Sequence, residues 1–335
     1  PRRWTFMTRS WASARPSDAM AAPLSPRRNI LVIKLSALGD FVQALGPMQA
    51  IRAHHPGARV DLLTTPPFED LATASGLFDH VIARPRMKWH QIGALRALRR
   101  DLIQGEYARV YDLQTSDRSS FYFRLFPAKV KPEWSGIARG CSHPHANPNR
   151  DRLHTVERQA DQLAMAGIPS VPAADLSFAD TDLTRFALPD PFALIVPGGA
   201  AHRPAKRWPG ERFAALANHL YKQGLTPLLI GGSDERALHA DILAAAPEAR
   251  SLAGETSLLD LAALARRAAL AVGNDTGPMH VAAIAGAPTV VLYSHDSDPA
   301  LCAQRGAQVT ILRAAHLSEL ALADVLKVLP TPSPS

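Results

Sequence analysis

The sequence predicts an α/β protein built from two doubly wound, Rossmann-like halves that face a cleft. Three observations carry this. Short apolar runs alternate with stretches of helical spacing from residue 30 onward. The alternation stops in a Pro-rich passage, Ile168-Pro169 to Pro191, and starts afresh at Phe192. The chain has 335 residues, 47% of them hydrophobic, which suits two domains with a sizeable core. Strands alternating with helices build a parallel sheet covered on both faces.

In the first half, Ile30-Leu31-Val32-Ile33 reads as a strand and Phe41 to His54 as helix. Val60–Thr64, His80–Ala83 and Arg109–Leu113 read as further strands, with helices over Phe68–Ser75 and Ile92–Ile103 between them. Residues 127–151, rich in Pro, His, Asn and Gly, read as loop, and a helix is expected over Thr155–Ala166. In the second half, strands are expected at Phe192–Val196, Thr226–Ile230, Arg250–Leu252, Ala269–Val272 and Thr289–Tyr293. Helices are expected over Glu211–Gln223, Asp234–Ala246, Leu258–Arg267 and Val281–Ala285. The boundaries drawn are 1–29, 30–175 and 176–330.

The formal net charge of +7 invites a nucleic-acid partner. Residues 1–29 hold six arginines against one acid, a net of +5, which leaves 7 − 5 = +2 for everything else. Those first residues lack periodicity and are expected to be a disordered basic extension ahead of a natural start at Met7 or Met20. The reading is therefore no nucleic-acid partner. They contain no apolar core of signal-peptide length, and no later segment approaches the roughly 18 apolar residues of a membrane span. Two cysteines, Cys141 and Cys302, give no disulfide framework. The composition is that of a cytoplasmic enzyme.

Chemistry is concentrated where strands end. Gly273-Asn274-Asp275-Thr276-Gly277-Pro278-Met279-His280 joins a strand to a helix start. Free N–H groups and the helix dipole there suit an anion, and Thr276 is an N-cap candidate. Asp275 is not needed for a phosphate and could hold hydroxyls, so the pair suggests a nucleotide-sugar. Lys34 to Asp40 sits at the corresponding place in the first half, without a Gly-x-Gly-x-x-Gly pattern. Asp40 there is either a general base for an acceptor hydroxyl or a cap of the first helix. Pro197-Gly198-Gly199-Ala200 followed by Lys206-Arg207-Trp208-Pro209 places two cations near a Gly-rich turn. They could meet a diphosphate, or form a solvated loop with Trp208 packed on the domain. In Gly231-Gly232-Ser233-Asp234-Glu235, a carboxylate could bind ribose hydroxyls, or Ser233 or Asp234 could cap a helix. Arg84, Arg86, Lys88 and Arg118 could line the first-half side of the cleft and suit an acidic acceptor, whereas Arg96, Arg99 and Arg100 read as a solvated helix face. Cys141-x-His143-x-His145 has no second ligand pair and reads as plain loop, so no metal site is expected.

Leu35-Ser36-Ala37-Leu38-Gly39-Asp40, the Pro197–Ala200 turn, Pro204-Ala205-Lys206-Arg207-Trp208-Pro209 and Asn274–His280 together resemble the heptosyltransferases of glycosyltransferase family 9, in family order and over about residues 29–330. The resemblance implies a GT-B fold, with an acceptor-binding first domain and an ADP-sugar-binding second. It implies inverting, metal-independent transfer of a heptose from ADP-heptose to a lipid-anchored, acidic inner-core acceptor of lipopolysaccharide (Kdo or heptose on lipid A). Asp40 matches the family's proposed base and Lys206 its phosphate-binding lysine. Asp275 matches the aspartate on the sugar hydroxyls, and Thr276 and Gly277 the diphosphate turn. Asp234 or Glu235 falls where an acid binds ribose. Gly198, Arg207 and His280 complete the donor set; Ser36, Gly39, Arg84, Arg86, Lys88 and Arg118 make the acceptor set. After Thr289–Tyr293, members carry a Phe-Gly-x-Thr-x-Pro-like turn; this chain has Ser294 in place of the glycine. The other readings kept open are a relative using another nucleotide-sugar or a protein acceptor, and a non-catalytic nucleotide-sugar sensor. A partly basic first domain also fits transient contact with the inner face of an anionic membrane.

Overall fold

In the computed structural model, which describes residues 28–86, 91–199 and 203–330, two six-stranded parallel sheets stand side by side. The expected extension 1–29 lies almost wholly outside the described residues, and so does Lys88. The first sheet is formed by β1 (Asn29–Ile33), β2 (Val60–Thr64), β3 (His80–Ala83), β4 (Tyr107–Asp112), β5 (Glu133–Gly136) and β6 (His143–Pro144). Its order is β3-β2-β1-β4-β5-β6. The helices with it are α1 (Leu38–Gln43), α2 (Leu45–His54), α3 (Glu69–Ala74), α4 (Ile92–Gln104), α5 (Asp117–Tyr122) and α6 (Thr155–Met165).

The second sheet contains β7 (Phe192–Val196), β8 (Thr226–Leu229), β9 (Arg250–Ser251), β10 (Leu270–Asn274), β11 (Thr289–Tyr293) and β12 (Val309–Arg313). It repeats the same winding in the order β12-β11-β10-β7-β8-β9. Its helices are α7 (Gly210–Lys222), α8 (Arg236–Ala245), α9 (Leu258–Arg267), α10 (Gly277–Ala285), α11 (Pro299–Cys302) and α12 (Leu322–Leu326). Strand order reverses between β1 and β4 in one sheet and between β7 and β10 in the other. Loops after those four strands therefore open onto a crevice, the ligand position of doubly wound sheets.

Local chemistry explains the elements. Every residue of β7 and β11 is buried, as apolar strands covered on both faces should be. Helix α9 starts at a capping box, Ser257 accepting from the Asp260 N–H while Asp260 accepts from the Ser257 N–H. Helix α10 ends on Gly286 at φ 104°, a left-handed position that favours glycine. One expectation is corrected. Residues 127–151 are not all loop, because β5 and β6 extend the first sheet there; Trp134, fully buried against Phe123 and Phe126, anchors the added strand. Beyond Tyr293, the elements α11, β12 and α12 add to the predicted set.

The passage after α6 crosses to the second half. Arg266 holds the Leu176 carbonyl at 2.9 Å and the Ala179 carbonyl, and Arg250 holds those of Phe186 and Ala187 at 2.8 Å each. The apolar core is continuous across this connection, running from Val32 and Leu62 through Leu176 and Phe186 to Val196.

Candidate active site

The two halves meet over a cleft of about 600 Å³. Ala37, Gly39 and Asp40 line it from the first half; Val196, Gly198, Gly199, Arg203, Lys206, Glu235, Asp275, Thr276, Gly277, Pro278, His280 and Cys302 line it from the second. The topology thus brings Asp40, Lys206 and Asp275 to one wall-to-wall space from sequence positions far apart.

On the second side, Lys206 Nζ donates to Asp275 Oδ2 at 2.9 Å, both side chains being mostly buried. Burial alone would raise the Asp275 carboxyl; the Lys206 ammonium and the Ser297 hydroxyl outweigh it and hold the group below the usual carboxylate range. Asp275 is therefore an anion at neutral pH. Asn274, fully buried, ties the surrounding turns together. Its Oδ1 accepts from the Trp208 N–H at 3.0 Å, and its Nδ2 donates to the Pro197 and Gly198 carbonyls at 2.8 and 3.1 Å. Thr276 is the N-cap of α10 by backbone geometry, but its hydroxyl donates to the Asn274 carbonyl at 3.2 Å and caps no helix N–H.

The Asp234–Glu235 pair separates. Asp234 is exposed and does not line the cleft. Glu235 lines it and accepts from the Gly199 N–H at 2.9 Å and the Gly232 N–H at 3.1 Å. A Cβ on Gly198 would overlap the Glu235 carboxylate, so a larger residue there would push that carboxylate away from the Gly199 and Gly232 N–H groups. Arg207 points back into its own loop and donates to the Gly199 carbonyl, outside the cleft lining; Trp208 is packed against Phe213. Arg203, exposed in the cleft, went unremarked in the sequence, as did Asn274's bracing role. No local signal marked either, since both depend on which strands become neighbours.

On the first side, Asp40 stands in the first turn of α1 and is partly exposed; its Oδ2 accepts from the Ala37 N–H at a long 3.4 Å. A weak cap and an open carboxylate coexist. Gln114 Oε1 accepts from the Leu35 and Ser36 N–H groups at 2.8 and 3.0 Å, fixing the loop that carries Asp40. Beneath it, Lys34 is buried and donates to the Leu113 carbonyl at 3.2 Å; burial lowers its pKa while the Asp40 carboxylate pulls the other way. Asp112 is buried beside these elements, and desolvation pushes its carboxyl up to about 6.

Three of the expected acceptor cations, Arg84, Arg86 and Arg118, do not line the cleft but a small pocket of the first half, with Leu35 and Tyr122. Arg84 is paired with Asp101 at 2.5 Å, and Arg86 donates to the Ser36 hydroxyl. In the Cys141–His145 stretch, Cys141 Sγ lies against the Gly136 carbonyl and His145 Nε2 is 2.7 Å from Asp161. Among the described residues, no group of three or more His, Cys, Asp or Glu is placed to hold a metal ion, and no helix is long and apolar enough to cross a membrane.

His280 closes the cleft between the halves. It is buried, its Nδ1 has no hydrogen-bond partner among the described residues, and desolvation lowers its pKa to about 4, so the ring is neutral at pH 7.

Comparison with known proteins agrees with this architecture. The sequence profile described as "Glycosyltransferase family 9 (heptosyltransferase)" matches residues 95–327. Lipopolysaccharide heptosyltransferase 2 of Salmonella typhimurium is 29% identical over 291 residues, 80% of this chain and 83% of its own length. The structure of E. coli ADP-heptose lps heptosyltransferase II superposes with a TM-score of 0.74 at 25% identity, covering 89% of this chain and 96% of that one. The glycosyl transferase family 9 structure from Veillonella parvula gives 0.77 at 22% identity, covering 89% and 95%. Fold and cleft define a glycosyltransferase of GT-B architecture. The chain belongs to glycosyltransferase family 9.

Proposed function

We propose that this enzyme transfers a heptose from ADP-heptose to a lipid-anchored, acidic saccharide of the lipopolysaccharide inner core, Kdo or heptose on lipid A. The observation that carries the reading is the shared cleft, with Asp40 on one wall and the Lys206–Asp275 pair on the other. The names of the relatives, a lipopolysaccharide heptosyltransferase and an ADP-heptose heptosyltransferase, support the choice of donor and acceptor. In this proposal residues 30–175 form the acceptor side and 176–330 the donor side.

The reaction is a single displacement. An acceptor oxygen attacks the anomeric carbon, its proton passes to the Asp40 carboxylate, and the bond to the diphosphate oxygen breaks so that ADP leaves from the opposite face. Configuration inverts. Charge growing on the leaving diphosphate meets the Lys206 ammonium and the N–H groups of Thr276 and Gly277 at the start of α10, electrostatic support that is strongest in a water-poor cleft. Asp275 takes sugar hydroxyls and Glu235 the ribose. Arg203 adds a cation at the diphosphate. Arg86 and Arg118 steer the acidic acceptor. The acceptor's lipid brings the first domain transiently to the inner face of the cytoplasmic membrane; flotation with anionic vesicles tests that contact.

The test is a product assay with ADP-heptose set against UDP- and GDP-sugars, using inner-core acceptors with and without heptose. Heptosyl transfer from ADP-heptose alone is expected. Transfer from another nucleotide-sugar, or to a protein, would replace this reading by a family relative of different specificity.

A further inference from the structure

Asp275 is held by more than Lys206. Ser297 Oγ donates to its Oδ2 at 2.7 Å, and Gln304 Nε2 donates to its Oδ1 at 3.3 Å. Both donors lie on the segment between β11 and β12. Gln304 is 3% exposed, and its Oε1 accepts from the Tyr293 hydroxyl at 2.8 Å. An amide whose oxygen is so engaged presents its NH2 to the carboxylate, so Tyr293 fixes which end of Gln304 faces Asp275.

The residues on either side of Gln304 hold the other half of the molecule. The Ala303 carbonyl accepts from Gln43 Nε2 on α1 and from His154 Nε2 at the start of α6, each at 2.9 Å. Arg305 pairs with Glu157 on α6 at 2.6 Å. Three consecutive residues thus run from first-half side chains to the donor-side carboxylate.

We propose that Gln304 is a positioning residue that sets Asp275 for the donor sugar while its neighbours clasp the first domain, so that sugar recognition is tied to closure of the cleft. The inference rests on the reading of Asp275 as the ligand of the sugar hydroxyls. With Ala303 and Arg305 engaged, Gln304 is pinned against Oδ1. When the halves part, those two anchors are released and the amide is free to leave the carboxylate, which then keeps its Lys206 and Ser297 donors.

The experiment measures, by calorimetry on the full chain, the affinity for ADP and for ADP-heptose, together with kcat and donor KM. The variants are Gln304→Ala, Tyr293→Phe, Arg305→Ala and Asp275→Asn. Gln304→Ala should bind ADP as the unaltered protein does, lose about tenfold of its preference for ADP-heptose over ADP, and raise donor KM to match, the weight of one hydrogen bond to a charged group. Tyr293→Phe keeps the packing and should show part of the same loss, as should Arg305→Ala through the weakened clasp. A purely structural Gln304 would leave the ratio of the two affinities untouched. An unchanged ratio in Gln304→Ala, beside a lost ratio in Asp275→Asn, overturns the inference and leaves the role of Asp275 standing. Should Gln304→Ala fail to fold, an unchanged ratio in Tyr293→Phe overturns it equally. If the unaltered protein prefers ADP-heptose no more than ADP, the reading of Asp275 falls and the inference with it.

Discussion

A methyl group placed on Gly39 would stand 2.5 Å from the His280 ring. Helix α1 of one domain therefore meets helix α10 of the other at a contact that admits no side chain. The same holds across the joint, where a Cβ on Gly277 would lie 2.7 Å from that of Leu38. Small residues here let the backbones that carry Asp40 and Asp275 approach each other across the cleft.

Gly39→Ala should wedge the halves apart. Turnover should fall at least about tenfold, since small misplacements of reacting groups are expensive, while ADP affinity stays near that of the unaltered protein. Steady-state kinetics beside ADP titration checks this. A variant with full turnover would mean that the joint opens during the reaction.

The carboxylates at 234 and 235 should behave differently. Glu235 holds two backbone N–H groups at the Gly198–Gly199 and Gly231–Gly232 turns, so Glu235→Ala should weaken ADP binding about tenfold. Asp234 is exposed, and Asp234→Ala should stay within about twofold. Calorimetry with ADP separates them, and equal losses would refute the assignment.

Stability should fall on acidification. His280 and His55 both have folded-state pKa values lowered to about 4 from an ordinary 6.5, mainly by burial. The folded protein thus binds fewer protons than the unfolded chain between those values. The stability from each neutral ring is complete above pH 6.5 and is lost as pH falls through 4, at most about 3 kcal/mol for the deeply buried His280. Asp112 works in the opposite sense, its raised carboxyl gaining a proton in the folded state as pH falls through about 6, and offsets part of the loss. Urea denaturation between pH 7 and 4 should give a declining midpoint, with a shallower decline in His280→Gln. A flat profile would contradict the neutral burial of these rings.

Much of the fold was legible because its strands appear as short, mainly apolar runs bounded by turn residues, even in the half-exposed edge strand His80–Ala83. Phe192–Val196, Val60–Thr64, His80–Ala83 and Thr289–Tyr293 have the bounds the sequence predicts. β5 was not legible, because Glu133-Trp134-Ser135-Gly136 carries a single large apolar residue, and β6 has only two residues. β12 has the alternation of a strand in Val309-Thr310-Ile311, yet its edge position leaves it half-exposed and without the full apolar run of its neighbour β11. In the cleft, Asp40, Lys206, Glu235 and Asp275 could be picked out because they sit where strands end. Which carboxylate of Asp234 and Glu235 faces the cleft depends on the short helical turn at Ser233–Glu235, which pattern alone does not orient. Gln304 and Asn274 act through partners that only the folded sheet brings near, so no spacing announces them.

Asp40→Asn is the most direct test of the central claim, that the first domain supplies the base to a donor held by the second. The substitution keeps shape and the weak contact to Ala37 while removing the proton acceptor. Turnover with ADP-heptose and an inner-core acceptor should fall by a factor of about 100 or more, with ADP affinity nearly unchanged. Turnover surviving within about tenfold of the unaltered enzyme would contradict the account and move the base elsewhere in the cleft.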